Sequence, residues 1–335
     1  MERPSSNLLA CWRDNPSVAV LTGAGISAAS GLPTFRGAGG WWKKYRAEDL
    51  ATPEAFQKDP RRVWEWYNHR RDLVRRHAPN PGHFALARFE PLCKTFALIT
   101  QNVDGYHQRA GSANVSELHG NIMKSRCSAC SRVCEAGAED WKDGLPYCSC
   151  GALYRPGVVW FGETLPAATL QDAFIAAENC QIFFAIGTSS VVYPAAALSQ
   201  MALEHGAYVV EINDEATPLT PHASEFLKGR AGEILPALVK FFQSGDKMKP
   251  LSTRPRSAFW QIAILAATIL SLQGCGAYFN TFYNTKKLYK EALEEQKRRG
   301  ADNKPTSMEI QKYDKAIEKG SKLLQLHPKS RYVDD

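Results

Sequence analysis

Five of the nine cysteines fall between Cys127 and Cys150, and four of them form two short pairs. Cys127-x2-Cys130 and Cys148-x-Cys150, seventeen residues apart, offer four thiolates from two knuckles. Four Cys ligands with no open position make a structural zinc site, which holds a fold together without touching a substrate. The second pair is one residue tighter than the usual C-x2-C, so Cys150 and the nearby Cys134 stand as alternatives for the fourth ligand. Disulfides fit poorly, because clustered thiols in a large chain without a secretion leader point to a reducing compartment. Cys11, Cys93 and Cys180 read as small buried apolar residues.

Two further groups have types and spacing that suit chemistry. In "VLTGAGISAASG" (20–31), Gly23, Gly25 and Ala28 satisfy the loose G-x-G-x-x-G/A pattern of dinucleotide binding. Any tight turn after a strand wants glycine, so the pattern decides nothing alone. A dehydrogenase also needs an acidic residue about 20 positions on, at the end of a second strand. Glu48 and Asp49 follow no β-like run in "AGGWWKKYRAEDL", so the loop is expected to stay extended and to serve other chemistry. In "PRRVWEWYNHRRDLVRR" (60–76) the apolar residues have helical spacing, which puts Tyr67 and Arg70 on one face. A phenol and a guanidinium so placed can jointly bind a carboxylate.

The elements that must position these groups are short buried strands ending in polar or glycine residues. "SVAVLTGAG", "TFALITQNVD", "CQIFFAIGTSS" and "GAYVVEIND" are such strands, and "HFALARFE" and "AGEILPALVKFF" read as helices. Their alternation gives an α/β fold with a doubly wound parallel sheet. Ligands of such sheets bind beyond the carboxyl ends of the strands. Gly23–Ser27, Gln101–Asp104, Gly187–Ser189 and Asn213–Glu215 are therefore expected in one crevice. The net charge of +7 comes from the last quarter, where residues 247–335 carry 17 basic against 9 acidic side chains. The main body is close to neutral, which gives a nucleic-acid role no electrostatic support.

Four stretches, "GAGISAASGLPTFRG" (23–37), "TQNVDGYHQRAG" (100–111), "ELHGN" (117–121) and "GTSSVVYPAA" (187–196), together resemble the sirtuins, NAD-dependent protein deacylases. The resemblance runs in order from about Asn15 to Phe242, with Ala29 standing where many members carry Glu. It implies NAD and acylated lysine side chains as substrates. The nicotinamide–ribose bond breaks, the ribose carbon passes to the amide oxygen of the acyl-lysine, and a base activates a ribose hydroxyl. His119 is implied as that base, a task that suits a group titrating near neutrality. Asn102 and Asp104 complete the catalytic set. Gln101, Asn102, Val103 and Asp104 are implied at the nicotinamide and its ribose, where Asp104 can accept from a buried carboxamide. Gly23, Ala24, Gly25, Ile26 and Ser27 are implied at the pyrophosphate. Arg36 is then a charge partner, Phe35 a cover against water, and Trp42 a cofactor neighbour. Gly187, Thr188, Ser189, Asn213, Asp214, Glu215 and Ala231 are implied at the adenosine half. Thr34 is placed at the cofactor with a structural role equally open, as for Ser30. His83, His107 and His205 are expected as hydrogen-bonded structural residues.

Sirtuins that remove succinyl, malonyl or glutaryl groups carry a Tyr-x-x-Arg pair where Tyr67 and Arg70 stand, and a small residue at the place of Ala51. The opposing reading makes Arg70 one more solvated charge among Arg61, Arg62, Arg71, Arg75 and Arg76. The resemblance places substrate main chain along "VVWFGE" (158–163), with Val159 and Phe161, as an added strand. The expectation is a deacylase for acidic acyl groups, weaker on acetyl. Alternatives are a plain deacetylase or ADP-ribosyltransferase, and a membrane-tethered interaction protein whose NAD-binding part does no chemistry. The intact His119, Asn102 and Asp104 argue against the last.

The expected organisation is a monomeric, cytoplasmic sirtuin part over 1–246. Its Rossmann-like NAD domain covers about 1–40, 78–120 and 151–242, and a smaller zinc-ribbon and helical domain about 41–77 and 121–150. The text then changes. Residues 247–275 hold a short basic region, an apolar run and Leu272-Gln-Gly-Cys275, which resembles a bacterial lipoprotein signal. Residues 276–335 resemble part of a tetratricopeptide-type helical extension. Such a signal behind a cytoplasmic enzyme suggests two joined reading frames, or else a fusion that anchors the enzyme to a membrane.

Overall fold

The computed structural model of the chain describes residues 4–13, 15–34, 46 and 49–244. Phe35, Arg36 and Trp42 lie outside the described residues, as does everything expected of residues 247–335. Met1–Lys247 form one compact unit. Among the described residues no helix is long and apolar enough to cross a membrane.

The strands are β1 (Ser17–Thr22), β2 (Thr95–Thr100), β3 (Val115–Glu117), β4 (Gly120–Cys127), β5 (Val133–Glu135), β6 (Asp140–Lys142), β7 (Leu145–Tyr147), β8 (Tyr154–Val158), β9 (Ile182–Ile186), β10 (Tyr208–Asn213) and β11 (Glu225–Lys228). Six of them form one parallel sheet in the order β11-β10-β9-β1-β2-β3. Strand β1 alternates its buried side chains between two cores. Val18 and Val20 face the helices Ser6–Trp12, Pro81–Phe89 and Ala231–Ser244, while Ala19 and Leu21 face Ala167–Asn179 and Ala197–Glu204. Strands buried on both faces read as continuous apolar runs, which is why the sequence displayed them so plainly. From β1 the chain steps one way to β2 and β3, then crosses to β9 on the other side. The order therefore reverses between β1 and β9, where such sheets bind ligands.

The smaller module has its own core, an antiparallel sheet β5-β4-β8 and the β6–β7 hairpin. Residues 154–158, expected with the larger domain, pair with β4 and belong to this module instead. The helix Pro60–Arg76 is its main wall, started by Pro60 and by the Asp59 side chain, which accepts from the Arg62 N–H at 3.0 Å. Its other end is held by the segment after β2: Tyr106 Oη and Arg109 Nη1 donate to Val74 O, at 3.0 and 3.1 Å.

Arg71 is not the solvated charge its neighbours suggest. It is 2% exposed and pairs with Glu139 at 2.9 Å. It also donates to Ile122 O, Lys124 O and Ser125 Oγ, at 2.7, 3.0 and 2.8 Å. A guanidinium can be buried at acceptable cost when its donors are this fully satisfied. The result bolts the helix to β4.

Candidate functional site

The loops after β1 and β9 interlock at the switch point. Gly23 N–H donates to Ile186 O at 2.9 Å and Gly25 N–H to Gly187 O at 2.8 Å. A Cβ on Gly25 would sit 2.6 Å from Gly187 Cα, and Gly187 itself has φ +57. The Gly23 and Gly25 N–H groups close the backbone against the β9 turn. The loop does not stay extended. It turns at once into a short helix, Ala24–Ala28, which brings Ile26 into the core and Ser27 into the crevice.

The end of β2 supplies the polar groups. Gln101 N–H donates to Thr22 O, and its side-chain amide donates to Thr188 Oγ1, each at 2.9 Å. Asn102 is buried and its Nδ2 donates to Gly23 O at 3.0 Å. Buried Asp104 accepts from Ser27 Oγ at 2.7 Å and from the Tyr106 N–H at 2.9 Å. Burial pushes its carboxyl above the usual range, and the Tyr106 amide, Ser27 and then Arg70 pull it back. Ala24, Ser27, Leu32, Asn102, Val103, Asp104 and Arg70 line one cavity.

Ser27 is itself oriented from below. Asn80 N–H donates to His83 Nδ1 at 3.2 Å, so the proton of His83 sits on Nε2, 3.3 Å from Ser27 Oγ. Burial lowers His83 to about 4, which keeps it neutral as a structural residue. His107 is likewise buried and lowered to about 3, with Nε2 at 2.9 Å from Thr22 Oγ1. Thr22 in turn donates to Thr100 Oγ1 at 2.8 Å, and Thr100 accepts the Asn102 N–H at 3.0 Å. Thr22 and Thr100 carry no recognisable motif in the sequence. Their signal was available, since each ends a strand and they are register partners.

His119 is half-buried, and its Nδ1 lies 2.9 Å from Gln101 O. A carbonyl can only accept, so Nδ1 carries the proton and Nε2 is the basic atom. Burial lowers its pKa and the Gln101 carbonyl raises it again. The carbonyl of His119 accepts the Val159 N–H at 2.9 Å, and Ala51 O accepts the Phe161 N–H at 2.9 Å. These two amides face the site residues, so they do not donate to an added strand. Phe161, Val191 and Tyr193 are exposed on the surface.

On the adenosine side, Asn213 Nδ2 donates to Thr188 O at 2.9 Å. Ser189 is half-buried, and Asp214 and Glu215 are exposed. Ala231 is buried where the last helix begins. Thr34 is half-buried.

In the smaller module, Arg70 is 9% exposed and Tyr67 2%. The Arg70 guanidinium lies 4.7 Å from the Trp66 ring centroid and 5.4 Å from that of Tyr67. Burial lowers the Arg70 pKa, while Tyr67 and Asp104 counter it. The solvated-charge alternative therefore fails. The sulfurs of Cys127, Cys130, Cys148 and Cys150 lie within 4.8 Å of one another, and Cys134 stays outside the group. A backbone N–H from Cys150 helps bring Cys148 down to about 6, which suits a metal-ligating thiolate.

The Sir2 family model matches residues 23–194, which include all of these crevice residues up to Ser189. A Pyrococcus furiosus NAD-dependent protein deacylase is 52% identical over 225 residues, 65% of this chain and 90% of that protein. The chain belongs to the Sir2 family. An NAD-dependent protein deacylase of Methylococcus capsulatus is 48% identical over 245 residues, covering 70% of this chain and 96% of that one. Among solved Sir2 structures, a Sir2 homologue in complex with NAD is 44% identical with TM-score 0.68, over 72% of this chain and 95% of that one. A Sir2 complex with a p53 peptide and NAD+ is 30% identical with TM-score 0.65, over 72% and 100%. The parallel sheet with its switch-point crevice is the Sir2 core.

Proposed function

We propose that this Sir2-family enzyme is an NAD-dependent protein-lysine deacylase that prefers succinyl, malonyl or glutaryl groups to acetyl. The observation that carries the preference is Arg70, which lines the cavity that Asn102 and Asp104 also line, with the buried Tyr67 ring 5.4 Å from its guanidinium. A guanidinium that lines a cavity can bind a carboxylate at the far end of an acyl chain; a methyl group offers it no charge.

Gln101, Asn102, Val103 and Asp104 hold the nicotinamide half of NAD, with Ala24 and Ser27 beside them. Thr188, Ser189 and Asn213 hold the adenosine half. Bound there, NAD supplies an electrophilic ribose carbon and a neutral leaving base. The chain's own part is to orient and to move protons. Asp104, kept an acceptor by the hydroxyl of Ser27, receives a carboxamide N–H. His119 Nε2 takes a proton from a ribose hydroxyl, and the Gln101 carbonyl steadies the imidazolium that forms. Trp66, Tyr67 and Ala51 exclude water from the acyl chain. One water is consumed, and the products are nicotinamide, O-acyl-ADP-ribose and the free lysine.

The four clustered thiols fit one structural zinc ion, which takes no step in the reaction. A chelator is expected to remove about one zinc per chain and to lower the melting temperature. Cys134→Ser keeps the ion and Cys150→Ser loses it. The clustered thiols also favour a reducing, cytoplasmic setting. For residues 247–335 we propose two joined reading frames, with a membrane-anchoring fusion as the alternative, and sequencing the transcript across Gln243–Met248 separates them.

The test of function is one lysine peptide in acetyl, succinyl, malonyl and glutaryl forms, compared by nicotinamide release. The acidic acyl forms should show the higher kcat/KM. Equal or better turnover of the acetyl form would make the enzyme a plain deacetylase.

A further inference from the structure

The segment leaving β8 reaches back to Tyr67 through one buried side chain. Trp160 is 3% exposed, and its indole N–H donates to the Tyr67 phenol oxygen at 3.0 Å. The indole is fixed on both sides. The Arg155 guanidinium lies 3.5 Å from its ring centroid, and Phe56 packs at 5.3 Å. Arg155 is held by Glu163 and by Val158 O, and the same Glu163 carboxylate accepts the Trp160 backbone N–H at 2.8 Å. Tyr67 is equally constrained, because Arg71 bolts its helix to β4.

A phenol can donate one hydrogen and accept at its oxygen. Here the oxygen accepts from Trp160, and the positive charge of Arg70 also acts on it. With the indole N–H on the oxygen and a guanidinium 5.4 Å from the ring, the phenol's own hydrogen is directed to a different partner. In a pocket beside Arg70 that partner is best an anion. An indole N–H thereby converts Tyr67 from an ambivalent group into a dedicated donor.

We propose that Trp160 is a specificity-determining positioning residue, which acts through Tyr67 to favour acyl chains that end in a carboxylate. This rests on the acyl preference proposed above and deepens it. Trp160 does not touch the reacting atoms. It sits between Val159, whose N–H meets the His119 carbonyl, and Phe161, whose N–H meets the Ala51 carbonyl. The group that tunes the phenol thus belongs to the same short segment that borders the base and the pocket floor.

The test replaces Trp160 by β-(3-benzothienyl)alanine, which keeps the shape of the indole and removes only its N–H. Trp160→Phe serves as a second variant and Trp160→His as a rescue that restores a ring N–H. Succinyl and acetyl forms of one peptide are compared in each, with Arg70→Met as the control. The ratio of succinyl to acetyl kcat/KM should fall about five- to tenfold on loss of the N–H, a drop of the size expected for one neutral hydrogen bond. The loss should lie in KM for the succinyl peptide, and Trp160→His should recover part of it. Equal losses on both peptides would mean that Trp160 only packs, and would overturn the proposal. If the parent has no succinyl preference, the acyl reading and this inference both fail. If Arg70→Met abolishes the preference while loss of the indole N–H leaves it intact, this inference alone fails.

Discussion

Arg70→Met separates the acidic-acyl reading from a plain deacetylase most sharply. Methionine keeps an unbranched side chain of similar length, so the apolar contacts with Trp66 and Tyr67 have a replacement. What disappears is a cation that is 9% exposed. A hydrogen bond to a charged group contributes about 1.5–3 kcal/mol. At about 1.4 kcal/mol per tenfold in rate, that is roughly a 10- to 150-fold loss of kcat/KM for a succinyl peptide. The upper end is expected, because the acyl carboxylate would be left buried with Tyr67 as its remaining donor. The acetyl peptide has no charge at that end and should lose far less. Arg70 also helps hold the Asp104 carboxylate ionised. Its removal should therefore shift the acid limb of acetyl turnover upward, since Asp104 then protonates at higher pH. The assay is nicotinamide release from matched acetyl and succinyl peptides between pH 6 and 9, with thermal unfolding to confirm the fold. A parallel fall on both peptides, or no fall on the succinyl one, refutes the reasoning.

Gly25→Ala should disrupt the interlock of the two glycine turns, because its Cβ meets the Gly187 backbone at 2.6 Å. A loss of about 2–4 kcal/mol is expected, seen as a melting temperature lower by roughly 5–15 °C and weaker NAD binding. A parental melting curve would disprove the interlock. His83 and His107 are lowered to about 4 and about 3, against an ordinary value of 6.5. The unfolded chain then binds more protons between pH 6.5 and those values. Stability should be fully present above pH 6.5 and fall below it, by up to about 1.4 kcal/mol per pH unit for each histidine. Urea denaturation at pH 7, 5.5 and 4.5 measures the slope, and His83→Gln should reduce it. A flat profile would show that the two rings are not kept neutral.

Much of the frame was legible because buried parallel strands leave unbroken apolar runs. "SVAVLT" and "IFFAI" are strands along their whole length, and the 60–76 helix starts and stops where its Pro60 and basic end suggest. Contacts between distant residues were not legible. The bond from Ser27 to Asp104 spans 77 positions, and Trp160 to Tyr67 spans 93, so neither leaves a local pattern. Arg71 shows the same limit from the other side. Its neighbours are charged, but Glu139 and three acceptors around β4 decide that it is buried. The glycines of the first turn have a second role that no local pattern displays. Their freedom serves a close approach of two backbones, which only the order of β1 and β9 in the sheet creates.

Turnover depends on the imidazole of His119, whose Nδ1 is engaged by Gln101 O, which leaves Nε2 as the basic atom. The direct measurement is O-acyl-ADP-ribose formed from NAD and a succinylated lysine peptide, by the parent and by His119→Tyr, each first shown to bind NAD. The parent should form one equivalent per lysine freed, and the variant at least a hundredfold less. A variant that binds NAD and matches the parental rate would contradict the account.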